Sequence, residues 1–237
     1  MSGNQLKILA LVAMTIDHIG VVLFPQLEIL RIIGRLAYPI FAYMIAEGCF
    51  YTRNKKRYLA GIVLLGCACQ AVFFDAMGSL EQSILTTFAL GIVTVYALQL
   101  AEERRDAIGV LALAGALLLD AGACYGMPML LSGTDYSIDY GFFGVLLPAI
   151  CYAPRIFCKN ADDAKRRWIT LACCGLGLVL VSLEIMGVLR VQWWSLAALV
   201  LLAFYNGTRG KWRMKCLFYV YYPAHLVVIW GIGSLLS

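Results

Sequence analysis

Charge is scarce in this chain. Only 14% of its 237 residues are Asp, Glu, Lys or Arg, against about 25% in a soluble domain. Histidine occurs twice and proline six times. There is no Walker loop, no G-x-G-x-x-G following a strand, no G-x-S-x-G and no H-E-x-x-H, so the common phosphate-loop, dinucleotide, hydrolase and zinc-protease signatures are missing. The nine cysteines include no C-x-x-C pair, and an odd count at such spacings supports neither a disulfide framework nor a zinc site. No metal is expected. Internal repeats and low-complexity tracts are also absent, which leaves an inverted-repeat transporter without direct support.

What fills the space is apolar: 62% hydrophobic residues and a mean hydropathy of +0.82. A soluble core of this size cannot hide that much apolar surface and keep a wettable exterior. This excludes a disordered chain, a separate soluble catalytic domain and a nucleic-acid binder working in solution. Crossing the hydrocarbon takes about 20 mostly apolar residues, and the backbone must then be helical to satisfy its own polar groups. Apolar runs with few charges give candidate spans at roughly 6–24, 31–50, 57–75, 83–101, 107–124, 140–157, 168–185, 191–206 and 216–235. The expected fold is all-α: one polytopic bundle over residues 1–237, with about nine spans (8–10). The region 107–135 is the weakest, since Asp120, Gly122, Gly126 and Pro128 interrupt it and allow a re-entrant segment. With no small-residue cleavage site before Asp17, the first helix is expected to stay in the mature protein.

Positive charge sorts to alternate connections. Lys7 marks the N-terminus; Arg53, Lys55, Lys56 and Arg57 follow the second span, and Arg104 and Arg105 the fourth. Arg155, Lys159, Lys165, Arg166 and Arg167 follow the sixth, and Arg209, Lys211, Arg213 and Lys215 the eighth. By the positive-inside rule these connections and the N-terminus are cytoplasmic, and the C-terminus at Ser237 is external.

Ionisable residues within apolar spans are costly and usually mark function. The first span carries Asp17 and His18, about 16–18 Å from its cytoplasmic start. The second carries Arg31, Arg35 and Tyr38 at i, i+4 and i+7, one polar stripe, and ends near Glu47. Arg35 is expected within side-chain reach of His18. The last span places His225 beyond Pro223 and beside Tyr221 and Tyr222. Both histidines thus fall at membrane depth, and imidazole is suited to proton transfer near neutral pH. The alternative is that these groups only hydrogen-bond across helix interfaces. Asp17 and His18 point about 100° apart, so His18 is expected in the pocket with Asp17 supporting it.

Five stretches in order resemble the TraX family, named for the F-pilin N-acetyltransferase of conjugative plasmids. They are D-H-I-G at 17–20; R-I-I-G-R-L-A-Y-P-I-F-A-Y-M-I-A-E-G-C-F-Y-T-R-N-K-K-R-Y-L from residue 31; S-I-L-T-T-F-A-L-G-I at 83–92; D-Y-G-F-F-G-V-L-L-P at 139–148; and Y-Y-P-A-H-L at 221–226. The resemblance implies a multi-pass acyltransferase of the bacterial cytoplasmic (inner) membrane that uses acetyl-CoA as donor. Asp17, His18, Arg35, Glu47, Thr52, Arg53, Asp139, Tyr140, Gly141, Pro223 and His225 match the family pattern.

On this reading His18, His225, Asp17 and Arg35 carry the chemistry, one histidine serving as general base. Arg35 stabilises charge on a tetrahedral intermediate or anchors an acceptor carboxylate. Arg53, Lys55, Lys56 and Arg57 take the phosphates of the donor, since guanidinium forks and ammonium groups suit phosphate. Topology control and contact with anionic lipid is the alternative role for these basic residues. Arg31, Tyr38, Glu47, Thr86, Asp139, Tyr140 and Tyr222 are expected toward the acceptor, with Thr87 beside Thr86. The partners are membrane lipids and an acyl acceptor: a protein N-terminus, a glycan, a lipid or a small molecule. A proton-coupled transporter with an Asp/His/Arg relay and a non-catalytic scaffold of a secretion system are the competing functions.

Overall fold

Uninterrupted apolar runs leave the backbone no partner but itself, and they form helices. The computed structural model describes residues 1–185, 190–210 and 215–236. Lys211, Arg213 and Ser237, all used in the topology expectation, lie outside the described residues. In order, the elements are α1 (Gly3–Val22), α2 (Glu28–Gly34), α3 (Ala37–Tyr51), α4 (Lys55–Met77), α5 (Ile84–Arg104) and α6 (Ala107–Ala121). A π-helical turn at Gly122–Gly126 leads into α7 (Met127–Leu130), followed by α8 (Gly141–Tyr152), α9 (Pro154–Phe157) and α10 (Asp163–Glu184). A 3₁₀ helix at Arg190–Ala197 continues as α11 (Ala198–Ala203), and α12 is Lys215–Leu236. Among the described residues the only β pairing is one isolated bridge, Gln82 with Ile138.

The all-α class is as expected. Among the described residues, six helical stretches are long and apolar enough to cross a membrane: Gly3–Val22, Glu28–Tyr51, Lys55–Asp75, Ile84–Arg104, Ala107–Leu130 and Asp163–Glu184. Three shorter apolar helices, Gly141–Phe157, Arg190–Ala203 and Val220–Leu236, occupy the other three expected runs. The 107–130 stretch stays helical through its glycines because the π turn absorbs the irregularity in the backbone ladder. The exposure of Leu64, Leu111 and Leu118 along these helices is what a lipid-facing surface requires, since apolar side chains there lose nothing to hydrocarbon.

Polar loops end in side-chain caps. Ser2 and Gln5 form a reciprocal capping box at α1, and Asn54, Asp106 and Asp162 accept from Arg57, Gly109 and Lys165 backbone N–H groups. Each cap satisfies a donor that the first helical turn leaves unpaired.

The chain divides into two compact units, Met1–Met44 with Met186–Ser237, and Ile45–Ile185. In the first, α1 packs on α2 and α12, and α2 packs on the 3₁₀ helix. Leu11, Ala13, Met14 and Ala37 form a buried cluster, covered by Ile33, Leu36, Phe41, Tyr221 and Tyr222. In the second, α8 packs on α10 and α5, and α5 also on α4 and α6. Gly91 permits the α5–α8 approach, since a Cβ there would stand 2.7 Å from the Val145 carbonyl oxygen.

Candidate functional site

Five ionisable residues of the first unit, Asp17, His18, Arg31, Arg35 and His225, meet in two groups. Asp17 on α1 faces the end of α2, where Arg31 and Arg35 share a face at i, i+4. Arg31 Nη1 donates to Asp17 Oδ2 at 2.8 Å, and Arg35 Nη2 lies 2.9 Å from both carboxylate oxygens. Gly34 makes this possible: a Cβ there would come within 2.0 Å of Asp17 Oδ1. The Arg35 side chain is 5% exposed and that of Asp17 14%, so the cluster is largely withdrawn from water and carries one net positive charge. The structure therefore gives Arg35 to Asp17, where the sequence put it within reach of His18.

Arg35 has a further partner that sequence reasoning missed. Its Nη1 points at Gln192 Oε1 of the 3₁₀ helix, 3.4 Å away, and Gln192 is fully buried. A neutral glutamine in an apolar span carries little signal; the clue is that Gln192 and Ser195 recur at the period of a 3₁₀ turn.

Next to Asp17 in the chain, His18 meets His225 of α12. Their ring centroids are 5.0 Å apart at 63°, and His225 Nε2 is 3.2 Å from His18 Nδ1. Carbonyl oxygens only accept, and they fix the tautomers. His225 Nδ1, 2.9 Å from the Tyr221 carbonyl, carries hydrogen, so its Nε2 presents a lone pair. His18 Nδ1, 2.9 Å from the Met14 carbonyl, also carries hydrogen and shares it with that lone pair. The remaining His18 nitrogen, Nε2, is then a lone pair with no partner among the described residues. A nitrogen of this kind, held in place with its lone pair unused, can take a proton from an incoming nucleophile.

Aromatic rings hold His225. Tyr221 stacks on it at 5.3 Å and 8°, and Tyr222 meets it edge-on at 5.6 Å. Thr15 Oγ1 donates to the Leu11 carbonyl, so the Tyr221 hydroxyl, 2.7 Å away, donates to Thr15 and ties α12 to α1. Tyr38 is fully buried in α3.

The other expected residues belong to the second unit. Glu47 is paired with Arg155, whose guanidinium lies over the Phe50 ring at 4.0 Å. Lys55 stands 3.9 Å from Glu103 and over the Tyr96 ring. Arg53, Lys56 and Arg57 are exposed and make no ion pair among the described residues. Thr86 reaches Gln82 Oε1 at 3.4 Å, and Thr87 donates to the Asp139 carbonyl at 2.7 Å. Tyr140 has φ +65 at the start of α8, a backbone region that a non-glycine residue enters at a cost.

Two acids of this unit were not singled out from sequence as site residues. The Glu184 carboxylate accepts from the Phe142 and Phe143 backbone N–H groups at 3.0 and 2.9 Å and from the Tyr125 hydroxyl at 2.8 Å. It caps α8 across space, so its signal lay in the partner helix. Asp120 is fully buried and accepts from Thr94 at 2.5 Å. No group of three or more His, Cys, Asp or Glu that could hold a metal occurs among the described residues.

Comparison with known proteins bears on the whole chain. The family model described as TraX protein matches residues 2–233. A protein of Dichelobacter nodosus described as "Probable fimbrial assembly protein FimC, serogroup H1" is 25% identical, over 96% of this chain and 94% of its own length. An uncharacterized protein of Rickettsia prowazekii is 41% identical over 93 residues, 39% of this chain and 36% of its own. No solved structure matches significantly.

Proposed function

The chain belongs to the TraX family, and from that premise we propose that it is an integral membrane acyltransferase. It moves an acetyl group from cytoplasmic acetyl-CoA to an acceptor amine or hydroxyl at or beyond the outer leaflet. The observation that carries the reading is the His18–His225 pair, whose hydrogen bonds leave His18 Nε2 as a positioned base.

His18 Nε2 removes the proton from the acceptor as its nitrogen or oxygen attacks the acetyl carbonyl. The new bond to the acetyl carbon forms, the carbon–sulfur bond breaks, and the coenzyme leaves as thiolate, which takes up the proton. His225 supports the step by accepting hydrogen from His18 Nδ1, which stabilises the transient imidazolium. Arg53, Lys56 and Arg57 fit the phosphates of the donor, because they are exposed and make no ion pair among the described residues; Lys55, already beside Glu103, contributes less.

The proposed setting is the bacterial inner membrane, with nine crossings, the N-terminus and the 53–57 connection cytoplasmic, and the 131–139 connection external. The alternation of basic connections supports this. Likeness to a probable fimbrial assembly protein favours an acceptor met in fimbrial assembly, whether a protein N-terminus, a glycan, a lipid or a small molecule. Proton-coupled transport is the weaker reading, since both Asp17 oxygens are held by Arg31 and Arg35 and no relay of side chains among the described residues of the first unit supports it.

The test is to incubate the purified protein with labelled acetyl-CoA and membrane and peptide fractions. Donor binding with label transfer is the expected result. The reading fails if the protein neither binds the donor nor transfers label to any fraction.

A further inference from the structure

Gln192 and Ser195 are both fully buried, and the Gln192 Nε2 and Ser195 Oγ atoms have no hydrogen-bond partner among the described residues. Buried polar atoms left unpaired are costly, so two on one short segment call for a cause. Their placement is related. In a 3₁₀ helix residues i and i+3 eclipse, which puts both side chains on one edge of Arg190–Ala197. An eight-residue 3₁₀ run is itself longer than the usual three or four residues.

The amide orientation follows from its neighbour. Arg35 can only donate, so the Gln192 oxygen turns toward Arg35 Nη1 and the NH₂ group turns away from it. Thr15, Thr170 and Ser182 each donate to the carbonyl four residues back, whereas Ser195 Oγ, like Ser83 Oγ, has no partner among the described residues. Two unsatisfied donors thus sit beside an arginine–aspartate cluster of net charge +1. Such a set is complementary to an oxygen that carries negative charge.

We propose that Gln192 Nε2 and Ser195 Oγ form an oxyanion-binding subsite next to Arg35. Binding itself needs no transfer chemistry; the identity of the bound oxygen rests on the acyltransferase reading. That oxygen is either the acetyl oxygen as it becomes an oxyanion or a carboxylate of the acceptor. Both are the same chemistry, and kinetics separate them.

The variants are Gln192→Glu and Ser195→Ala. Gln192→Glu keeps volume and the contact to Arg35 while replacing the donor with an acceptor that repels anions, so a purely structural role for Gln192 is preserved. The probe is acetate, added to the purified full chain, with thermal unfolding as the readout. Acetate is expected to raise the unfolding midpoint of the natural protein in a concentration-dependent way, and the shift is lost in Gln192→Glu and reduced in Ser195→Ala. In transfer assays Gln192→Glu is expected to lose at least about tenfold. A fall in kcat at constant acceptor KM assigns the site to the acetyl oxyanion, and a rise in acceptor KM assigns it to an acceptor carboxylate. Acetate stabilisation of the natural protein that Gln192→Glu abolishes upholds the subsite even where no acetyl transfer is found, and then only the acyltransferase reading falls. Natural transfer rates and an unchanged acetate response in both variants overturn the subsite and leave that reading intact.

Discussion

His18 Nδ1 and His225 Nε2 stand 3.2 Å apart, although 207 residues separate them in the chain. A carbonyl one turn back fixes the hydrogen on each Nδ1, that of Met14 for His18 and that of Tyr221 for His225. The pair has a direction: hydrogen runs from His18 toward His225, which leaves His18 Nε2 as the free base. His18→Ala is expected to lower acetyl transfer by about 10²–10⁴-fold, the usual worth of a general base. His225→Ala is expected to cost less, because it removes support for the base and leaves the base itself. Single-turnover rates of the two variants check the order.

Arg35 and Arg31 share Asp17 but not its burial. Side-chain exposure is 5% for Arg35 and 24% for Arg31. Removing one partner of a buried pair costs about 3–5 kcal/mol, and an exposed pair is worth about 0–1 kcal/mol. Arg35→Ala is therefore expected to destabilise far more than Arg31→Ala in thermal unfolding. Arg35→Lys is expected to lose transfer as well, since an ammonium cannot reach both Asp17 and Gln192 as a planar fork does.

Gly34 is a steric requirement of the same cluster. Gly34→Ala drives a methyl group into the Asp17 side chain, and overpacking of this kind costs about 1–3 kcal/mol. Gly115, with nothing within 4 Å of its virtual Cβ, is the control. Gly115→Ala is expected to be neutral or to stabilise by up to about 1 kcal/mol through helix propensity. Unfolding midpoints of the two variants should move in opposite directions or differ plainly in size.

The helical class and the four key ionisable residues were legible because charge inside apolar runs is costly enough to stand out. Pairing was less legible. Asp17 and His18 are adjacent, so either could have met Arg35; the glycine at 34 decides for Asp17, and only three-dimensional packing shows it. The 107–135 region looked broken because glycine and proline weaken helices one residue at a time. The structure instead keeps 107–130 helical by a π turn and buries Asp120 against Thr94. Gln192 and Ser195 gave only the faint signal of their spacing, because neutral polar residues in a span are common, and that Gln192 Nε2 and Ser195 Oγ lack partners among the described residues is a property of the fold.

Outside the spans, Asp135 links two connections. Its carboxylate accepts from the Ser79 hydroxyl at 2.6 Å and the Leu80 backbone N–H at 3.0 Å. The Ser79 hydrogen bond, then that of Leu80, hold its pKa below the usual aspartate value. A depressed folded-state pKa means the link is fully present above the unfolded-state value and is lost as pH falls through the folded one. The Leu80 amide is expected to lose hydrogen-exchange protection as pH drops through the lower carboxylate range, and Asp135→Asn should remove that pH dependence. Protection that stays constant down to the lowest accessible pH would count against the link.

The central claim is that His18 performs the chemical step and does not serve donor binding. The most direct measurement pairs single-turnover acetyl transfer with acetyl-CoA binding on the same preparations of natural protein, His18→Ala and Arg53→Ala. The account predicts that His18→Ala binds the donor normally and transfers about 10²–10⁴-fold more slowly, while Arg53→Ala binds it more weakly and transfers at near-natural rate once saturated. His18→Ala transferring acetyl groups as fast as the natural protein would contradict it.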